Sequence, residues 1–163
     1  MIILDIEIEG GDWPDESAAL IEAAIAEAQA HIAPIEGEPE LSILLTDDAR
    51  QKTLNTQWRD KASATNVLSF PQIEPFAPLK GLLGDISVAY ETLVREADDL
   101  GLEFSHHLTH LVVHGFLHIV GYDHTNHETA EQMESMERLI LARLGIDGPY
   151  KEQELTSIMR DEL

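Results

Sequence analysis

Alternation of apolar and polar residues at the start of the chain predicts a β-strand at residues 2–8. Leu4, Ile6 and Ile8 share one side of this segment and acidic residues occupy the other, which is the pattern of a half-buried strand. Apolar runs bounded by turn-forming residues predict three further strands, at residues 41–45, 66–70 and 84–89.

Helical spacing of apolar residues predicts helices between and after these strands. The first runs from Asp15 to about His31, and the second runs from Asp47 to Trp58, opened by Thr46 or Asp47. Two more are predicted at residues 90–100 and 105–120.

A final helix is predicted after Thr125-x-x-Glu128, which has the spacing of a capping box. Its apolar residues at helical spacing predict a buried stripe, in which the methionines fill the core: Met133, Met136, Ile140 and Leu144. Together the elements predict a single α+β domain at residues 1–145, with a small mixed sheet flanked by helices. Residues 146–163 are left as an unassigned C-terminal tail.

The composition narrows the class of protein. A chain of 163 residues is long enough for one hydrophobic core. No apolar run approaches the roughly 20 residues of a membrane-spanning helix, and no signal peptide is recognisable, so we expect a soluble, cytoplasmic protein with no membrane partner. Because the chain has no cysteine, a transition-metal site would have to use His, Asp or Glu.

The formal charge of −21 would repel polyanions and, by itself, argues against nucleic-acid binding. The basic residues are unevenly distributed, however. Four of the ten fall between positions 50 and 61, where Asp60 alone opposes them: Arg50, Lys52, Arg59 and Lys61. This basic window is either a solvated helix face or part of a binding cleft.

Seven of the eight histidines fall within 22 residues, between His106 and His127. His114 and His118 are four residues apart on a predicted helix, so their side chains share one face at about 5–6 Å between Cβ atoms. Two ring nitrogens on such a face can bind one metal ion. Four histidines are interpreted as ordinary surface or hydrogen-bonded residues: His31, His106, His107 and His127.

A third metal ligand requires the chain to turn. His110 lies about 12 Å along the helix from His118, which is too far for one ion. Gly121 can end the helix in a left-handed conformation and return the chain, which favours His124 as the third ligand. The spacing His114-x-x-x-His118-x-x-Gly121-x-x-His124 is that of zincin-like metzincin proteases, so we predict a zinc-binding helix.

Three imidazole ligands leave a fourth position for water, which is typical of a catalytic zinc site. Zinc would lower the pKa of this zinc-bound water towards about 7 and make it a nucleophile. Metalloproteases have a glutamate base after the first histidine, but Gly115 occupies that place here. Asp123 would either orient an imidazole or cap the turn, and Asp85 is similarly ambiguous.

Two segments carry a resemblance to a known family. HGFLHIVGYDH at His114–His124 resembles the signature of the YbeY family of endoribonucleases. LNTQWRDKASATNVLSFP at Leu54–Pro71 is similar to that family's second motif, and Gly84-Asp85-Ile86 and the acidic last helix also fit. The likeness extends from the first strand to about Leu144.

The resemblance implies a single-strand-specific, metal-dependent endoribonuclease that acts in 16S rRNA 3′-end maturation and ribosome quality control. It implies one zinc ion on the three histidines, a functional Arg59, and the ribosome or small-subunit proteins as partners. Lys61, Asn66 and Ser69 in the second motif are further candidates for binding RNA or supporting the metal ligands. Since this chain is unusually acidic for the family, we expect a docking protein or the ribosome to guide it to RNA.

Two other functions remain open on the sequence. A zinc-dependent peptidase or small-molecule hydrolase would use the same ligands, but Gly115 removes the peptidase base. A non-catalytic ribosome-assembly factor with structural zinc is disfavoured by the open fourth position. Imidazole ligands also suit nickel, copper and iron, so the identity of the metal rests on the resemblance.

Overall fold

A computed structural model of the chain describes residues 1–32, 34–59 and 65–146, with Arg59 described by its backbone. In these ranges the chain forms four strands and five helices, close to the predicted bounds. They are β1 (Ile3–Glu9), α1 (Ser17–Gln29), β2 (Glu40–Thr46), α2 (Asp48–Arg59), β3 (Val67–Pro71), β4 (Leu82–Ala89), α3 (Tyr90–Leu100), α4 (Phe104–Val120) and α5 (His127–Arg143).

The four strands form one mixed sheet in the order β1-β2-β4-β3. Strands β1, β2 and β4 are parallel to one another, whereas β3 runs antiparallel to β4. Helices connect the parallel strands, as crossover connections require. The predicted α+β fold with a small mixed sheet is therefore confirmed, and the structure adds the strand order.

Helix α4 lies at the centre of the molecule. It packs against β3 and β4 on one side and against α1, α3 and α5 on the others. Every residue from 107 to 117 is buried, including Phe116 and three histidines. A helix enclosed on all sides must be apolar around its whole circumference, except where polar groups find partners.

Two glycines allow α4 to lie close to the sheet. A Cβ added to Gly115 would be 3.1 Å from Ile86 Cγ2 and 3.2 Å from Ser69 Oγ. Gly84 has φ +146°, and its added Cβ would be 2.5 Å from the carbonyl oxygen of Phe70 in β3 and 2.8 Å from Ile119 Cδ1 of α4. Larger residues at either position would push the helix and the sheet apart.

The prediction of a capping box at Thr125 and Glu128 is wrong by one residue. Asn126 caps α5 instead, because its Oδ1 accepts a hydrogen bond from the backbone N–H of Thr129 at 2.9 Å. The side chain of Thr129 reaches back to the N–H of Asn126 and completes the box. The hydroxyl of Thr125 instead donates a hydrogen bond to the carboxylate of Asp123 at 3.0 Å.

The start of α2 follows one of the two predicted alternatives. Asp47 is the capping residue, since its Oδ1 accepts from the N–H of Arg50 at 2.8 Å. Thr46 belongs to β2, where its hydroxyl donates to the carbonyl of Glu9. The helix start is therefore set by a carboxylate rather than by a hydroxyl.

The predicted buried stripe of α5 is partly confirmed. Met133 and Ile140 are buried, whereas Met136 and Leu144 are partly buried at the margin of the core. Ile146, which is the last described residue and follows α5, is also buried and joins the core. The rest of the predicted tail, residues 147–163, lies outside the described residues.

In the described ranges, none of the helices combines the length and the apolarity that a membrane crossing would require.

We predict that Gly84→Ala lowers the free energy of unfolding by about 2–4 kcal/mol, because it combines a disfavoured φ with a backbone clash. Gly37→Ala is the matched control: its φ is +67°, and nothing lies within 4 Å of an added Cβ. The control should cost only about 1 kcal/mol. Urea denaturation of both variants measures the difference, and equal losses would show that the helix does not need this close approach.

Candidate metal centre

The last two turns of α4 hold the first two histidines of the centre. His114 and His118 lie on one face of the helix, with ring centroids 4.7 Å apart. His114 is buried, while His118 is half-buried, so the pair opens towards solvent at one side. This is the arrangement that the spacing of four residues predicts.

A bend after α4 brings in the third histidine. Gly121 ends the helix with φ +126°, and an added Cβ would lie 2.9 Å from both Pro75 Cα and Phe76 N. The N–H of Tyr122 then donates to the carbonyl of Leu117 at 2.9 Å, which closes the turn. A residue with a side chain at position 121 would therefore be both strained and obstructed.

The bend places the ring of His124 beside the other two. Its centroid is 5.5 Å from that of His114 and 5.2 Å from that of His118. One nitrogen from each ring lies within 4.8 Å of the other two, close enough for one ion to bind all three. Three neutral imidazoles are a donor set that zinc accepts, with one coordination position left open.

Glu137 is a site residue that the sequence interpretation missed. It projects from α5 and is 5% exposed. Its Oε1 accepts a hydrogen bond from His114 Nδ1 at 2.5 Å, and its Oε2 accepts from His110 Nε2 at 3.2 Å. Burial would raise the pKa of Glu137, but the charge interaction with His114 and the two hydrogen bonds outweigh it and hold the pKa well below its usual range.

A signal for Glu137 was present in the sequence. The residue lies in the predicted buried stripe of the last helix, four residues after Met133 and three before Ile140. A glutamate is almost never buried without a partner. A charged residue inside a predicted core stripe, facing a histidine-rich helix, therefore indicates a buried carboxylate–imidazole pair.

A second carboxylate–imidazole pair lies near the start of α4. His107 is fully buried, and its Nε2 lies 2.9 Å from Glu96 Oε1 of α3. Burial lowers the pKa of His107, and the hydrogen bond with Glu96 opposes this effect in part. Asn66 joins the pair by donating its Nδ2 to Glu96 at 3.0 Å. The structure thus places Asn66 in a buried network that ties β3 to α3.

Ser69 supports α4, the helix that carries His114 and His118, from the sheet. It is buried in β3, and its Oγ donates to the carbonyl of Gly115 at 3.0 Å. Gly115 itself faces the sheet, where a longer side chain has no room. The position that carries a catalytic glutamate in metalloproteases is therefore directed into the core in this protein.

Asp123 has the role of a turn cap. Its Oδ1 accepts hydrogen bonds from the N–H and the hydroxyl of Thr125 at 3.2 and 3.0 Å. The hydrogen bond from the backbone N–H of Thr125 is the main cause that lowers the pKa of Asp123. Of the two interpretations left open by the sequence, the structure supplies contacts for the cap, which holds the loop that carries His124.

Asp85 lies on the other side of the sheet. Ile86, the next residue of β4, faces Gly115 of α4, so Asp85 points to the opposite face. There it accepts a hydrogen bond from Gln72 at 3.2 Å. It lines a groove of about 540 Å³ together with acidic and apolar side chains, among them Asp5, Glu7, Glu9, Leu44 and Trp58. The structure does not bring Asp85 to the histidine cluster.

The basic window is only partly described. Arg50 is exposed and forms an ion pair with Glu9 at 2.9 Å, so it belongs to a solvated helix face. Arg59 is the last residue of α2, whose position on the sheet is fixed by Gln51, the donor of a hydrogen bond to the carbonyl of Ser87. Lys61 lies outside the described residues.

Comparisons with known proteins agree on one family. Residues 6–145 match the family model described as Endoribonuclease YbeY. Two similar relatives named Endoribonuclease YbeY come from Rhodopseudomonas palustris strain BisA53 and Rhizobium meliloti strain 1021. The first is 50% identical over 85% of this chain and 83% of the relative, and the second is 48% identical over 94% and 98%.

A solved structure shares the fold. The solution structure of TM1509 from Thermotoga maritima is 24% identical and covers 90% of this chain and 99% of its own, with a TM-score of 0.55. At this identity the similarity supports the architecture of sheet and helices alone.

We predict that Ala substitution of His114, His118 or His124 lowers the affinity for zinc by more than about 100-fold. The loss of a residue that only hydrogen-bonds to a metal ligand already lowers metal affinity by about 10–100-fold, and the loss of a ligand itself should cost more. His127→Ala is the control, because His127 is 87% exposed and is paired with Glu131 on the same segment. Competition with a chromophoric chelator measures the affinities. Zinc binding that survives loss of any one ring would refute the three-ligand site.

We further predict that Gly121→Ala weakens zinc binding by about 10-fold or more, because it moves the bend that positions His124. Gly145→Ala provides a matched control at the end of α5: φ is +79° there, and nothing lies within 4 Å of an added Cβ. The same chelator competition compares the two variants. An equal effect of both substitutions would remove the positional role of Gly121.

Proposed function

Because this chain belongs to the YbeY family of endoribonucleases, we propose that it cleaves single-stranded RNA in a zinc-dependent reaction, in maturation of the 16S rRNA 3′ end and in ribosome quality control. The observation that carries the metal-dependent part is the convergence of three imidazoles on one point. The cytoplasm is the proposed location, with the ribosome or small-subunit proteins as partners.

His114, His118 and His124 would hold the ion. Zinc bound there supplies Lewis acidity and lowers the pKa of water at its open position. His114 is the buried ligand and is fixed by Glu137, whereas His118 and His124 are half-buried and border solvent. RNA would therefore approach from the side of His118 and His124, where the rings are not covered by the core.

Arg59 is the proposed phosphate-binding residue. A guanidinium group is permanently charged and offers forked donors, which suit the oxygens of a phosphodiester in the transition state. Support comes from its place at the end of α2, a helix whose start is capped by Asp47 and whose middle is bonded to the sheet through Gln51. A fixed helix would hold the arginine at a defined position relative to the sheet.

A peptidase of the metzincin type is disfavoured by the packing of Gly115. In such enzymes the residue after the first histidine supplies the general base. Here that residue is a glycine whose surroundings leave no space for a glutamate, because Ile86, Ser69 and Val67 lie within 3.3 Å of an added Cβ. Glu137 cannot replace the missing base, since its two oxygens are occupied by His110 and His114.

The net charge of −21 bears on how RNA reaches the site. Long-range repulsion between an acidic protein and a polyanion lowers the rate of encounter. We therefore propose that a ribosomal component guides the enzyme to its substrate, rather than free diffusion to naked RNA.

The test of the proposed reaction is a cleavage assay on a structured RNA with a single-stranded tail, with casein as an alternative substrate. We expect cleavage within the tail, loss of cleavage after removal of metal, and recovery on adding zinc. Casein should remain intact. Cleavage of casein would contradict the proposal. So would undiminished RNA cleavage by protein that has been treated with a chelator and shown to be metal-free.

Arg59→Ala should lower the rate of RNA cleavage by about 10²–10³-fold, the range for loss of one group that stabilises charge in a transition state. Zinc affinity should stay unchanged. Arg50→Ala serves as the matched control on the same helix, because Arg50 is exposed and paired with Glu9. Cleavage by Arg59→Ala at the rate of the Arg50→Ala control would remove Arg59 from the mechanism.

A further inference from the structure

The buried carboxylate of Glu137 contacts two histidines, of which only one is a metal ligand. Its two oxygens are divided between His114 Nδ1, at 2.5 Å, and His110 Nε2, at 3.2 Å. All three side chains are buried, with relative exposures of 4% for His114, 6% for His110 and 5% for Glu137. Water therefore does not compete for these hydrogen bonds.

The geometry points to a positioning role: we propose that Glu137 fixes the proton of His114 on Nδ1 and thereby directs Nε2 of the same ring to the metal. An ionised carboxylate can only accept hydrogen bonds, so the ring nitrogen facing Oε1 must carry a proton. In a neutral imidazole the other nitrogen is then the one with a lone pair. The proposal rests on the metal-dependent part of the proposed function.

His110 is assigned a supporting role in the same unit. Its Nε2 donates to Oε2 of Glu137, so the carboxylate is held from a second direction and cannot rotate away from His114. His110 and His114 are four residues apart on α4, while Glu137 comes from α5. The unit therefore spans two helices, and it fixes the ring of the most buried ligand before any ion binds.

The unit also places negative charge behind the metal. A carboxylate bonded to a ligand imidazole makes that ligand a stronger donor, and loss of such a partner usually costs 10–100-fold in metal affinity. Packing alone would be satisfied by an apolar side chain of similar length, since Met133, Ile140 and Leu141 surround this face of α5 with core residues. The presence of a charged group there thus requires a reason beyond packing.

The experiment compares Glu137→Gln and Glu137→Met with Glu131→Gln. Glu131 lies on the same helix and is also bonded to a histidine, His127, but this pair is exposed. We expect zinc affinity, measured by chelator competition, to fall by about 10-fold in Glu137→Gln and about 100-fold in Glu137→Met. Glu131→Gln should match the wild type. Unchanged zinc affinity in both Glu137 variants would overturn the proposal.

A second measurement reads the proton directly and needs neither metal nor RNA. In metal-free wild-type protein, ¹H–¹⁵N correlation spectra of the imidazoles should show His114 protonated at Nδ1. In Glu137→Met the proton should move in part to Nε2, with the Glu131→Gln spectrum unchanged. A wild-type His114 protonated at Nε2 would refute the proposal even if zinc affinity fell.

These measurements separate the proposal from the function it rests on. If the wild type holds zinc and shows the Nδ1 proton but does not cut RNA, the cleavage proposal fails and the role of Glu137 stands. If Glu137→Met does not fold, Glu137→Gln and the wild-type spectrum still decide the matter, because Gln has nearly the same shape as Glu.

Discussion

The structure depends on burying a helix that carries polar rings. Three histidines of α4, at positions 107, 110 and 114, lie in the core, where a polar group without a partner is costly. Two buried or nearly buried carboxylates supply the partners: Glu96 from α3 bonds His107, and Glu137 from α5 bonds the other two. The same bonds tie α3 and α5 to the central helix, so satisfying the imidazoles also organises the fold.

The candidate metal centre is a consequence of that arrangement. The last two turns of α4 hold His114 in a buried position and His118 in a half-buried one. The chain can return at once because Gly121 adopts a φ of +126° and leaves room for Pro75 and Phe76. A rigid helix, a glycine bend and a turn capped by Asp123 thus hold three rings from one short segment, which is what preorganisation of a metal site requires.

Local patterns allowed most of the elements, and the convergence of His114, His118 and His124, to be predicted from sequence. Strand alternation, helical spacing and the glycine at 121 all act within a few residues, so β1, α3, α4 and the bend came close to their observed positions. The predicted position of the capping box was wrong by one residue, because the hydroxyl of Thr125 hydrogen-bonds to Asp123 instead of capping the helix. Such competition between neighbouring side chains is decided by geometry that spacing does not contain.

What the sequence did not predict depends on contacts between distant segments. Glu137 is 23 residues from His114, and Glu96 is 30 residues from Asn66, so their pairing follows from how the helices pack. The strand order is of the same kind, and so is the packing of α4 against Ile86 of β4, which leaves Asp85 on the opposite face of the sheet. The measurement that tests the central claim most directly is zinc-edge X-ray absorption of the zinc-loaded protein. The account predicts three imidazole nitrogens at about 2.0–2.1 Å and one further light ligand, and a spectrum with two or fewer imidazoles would contradict it.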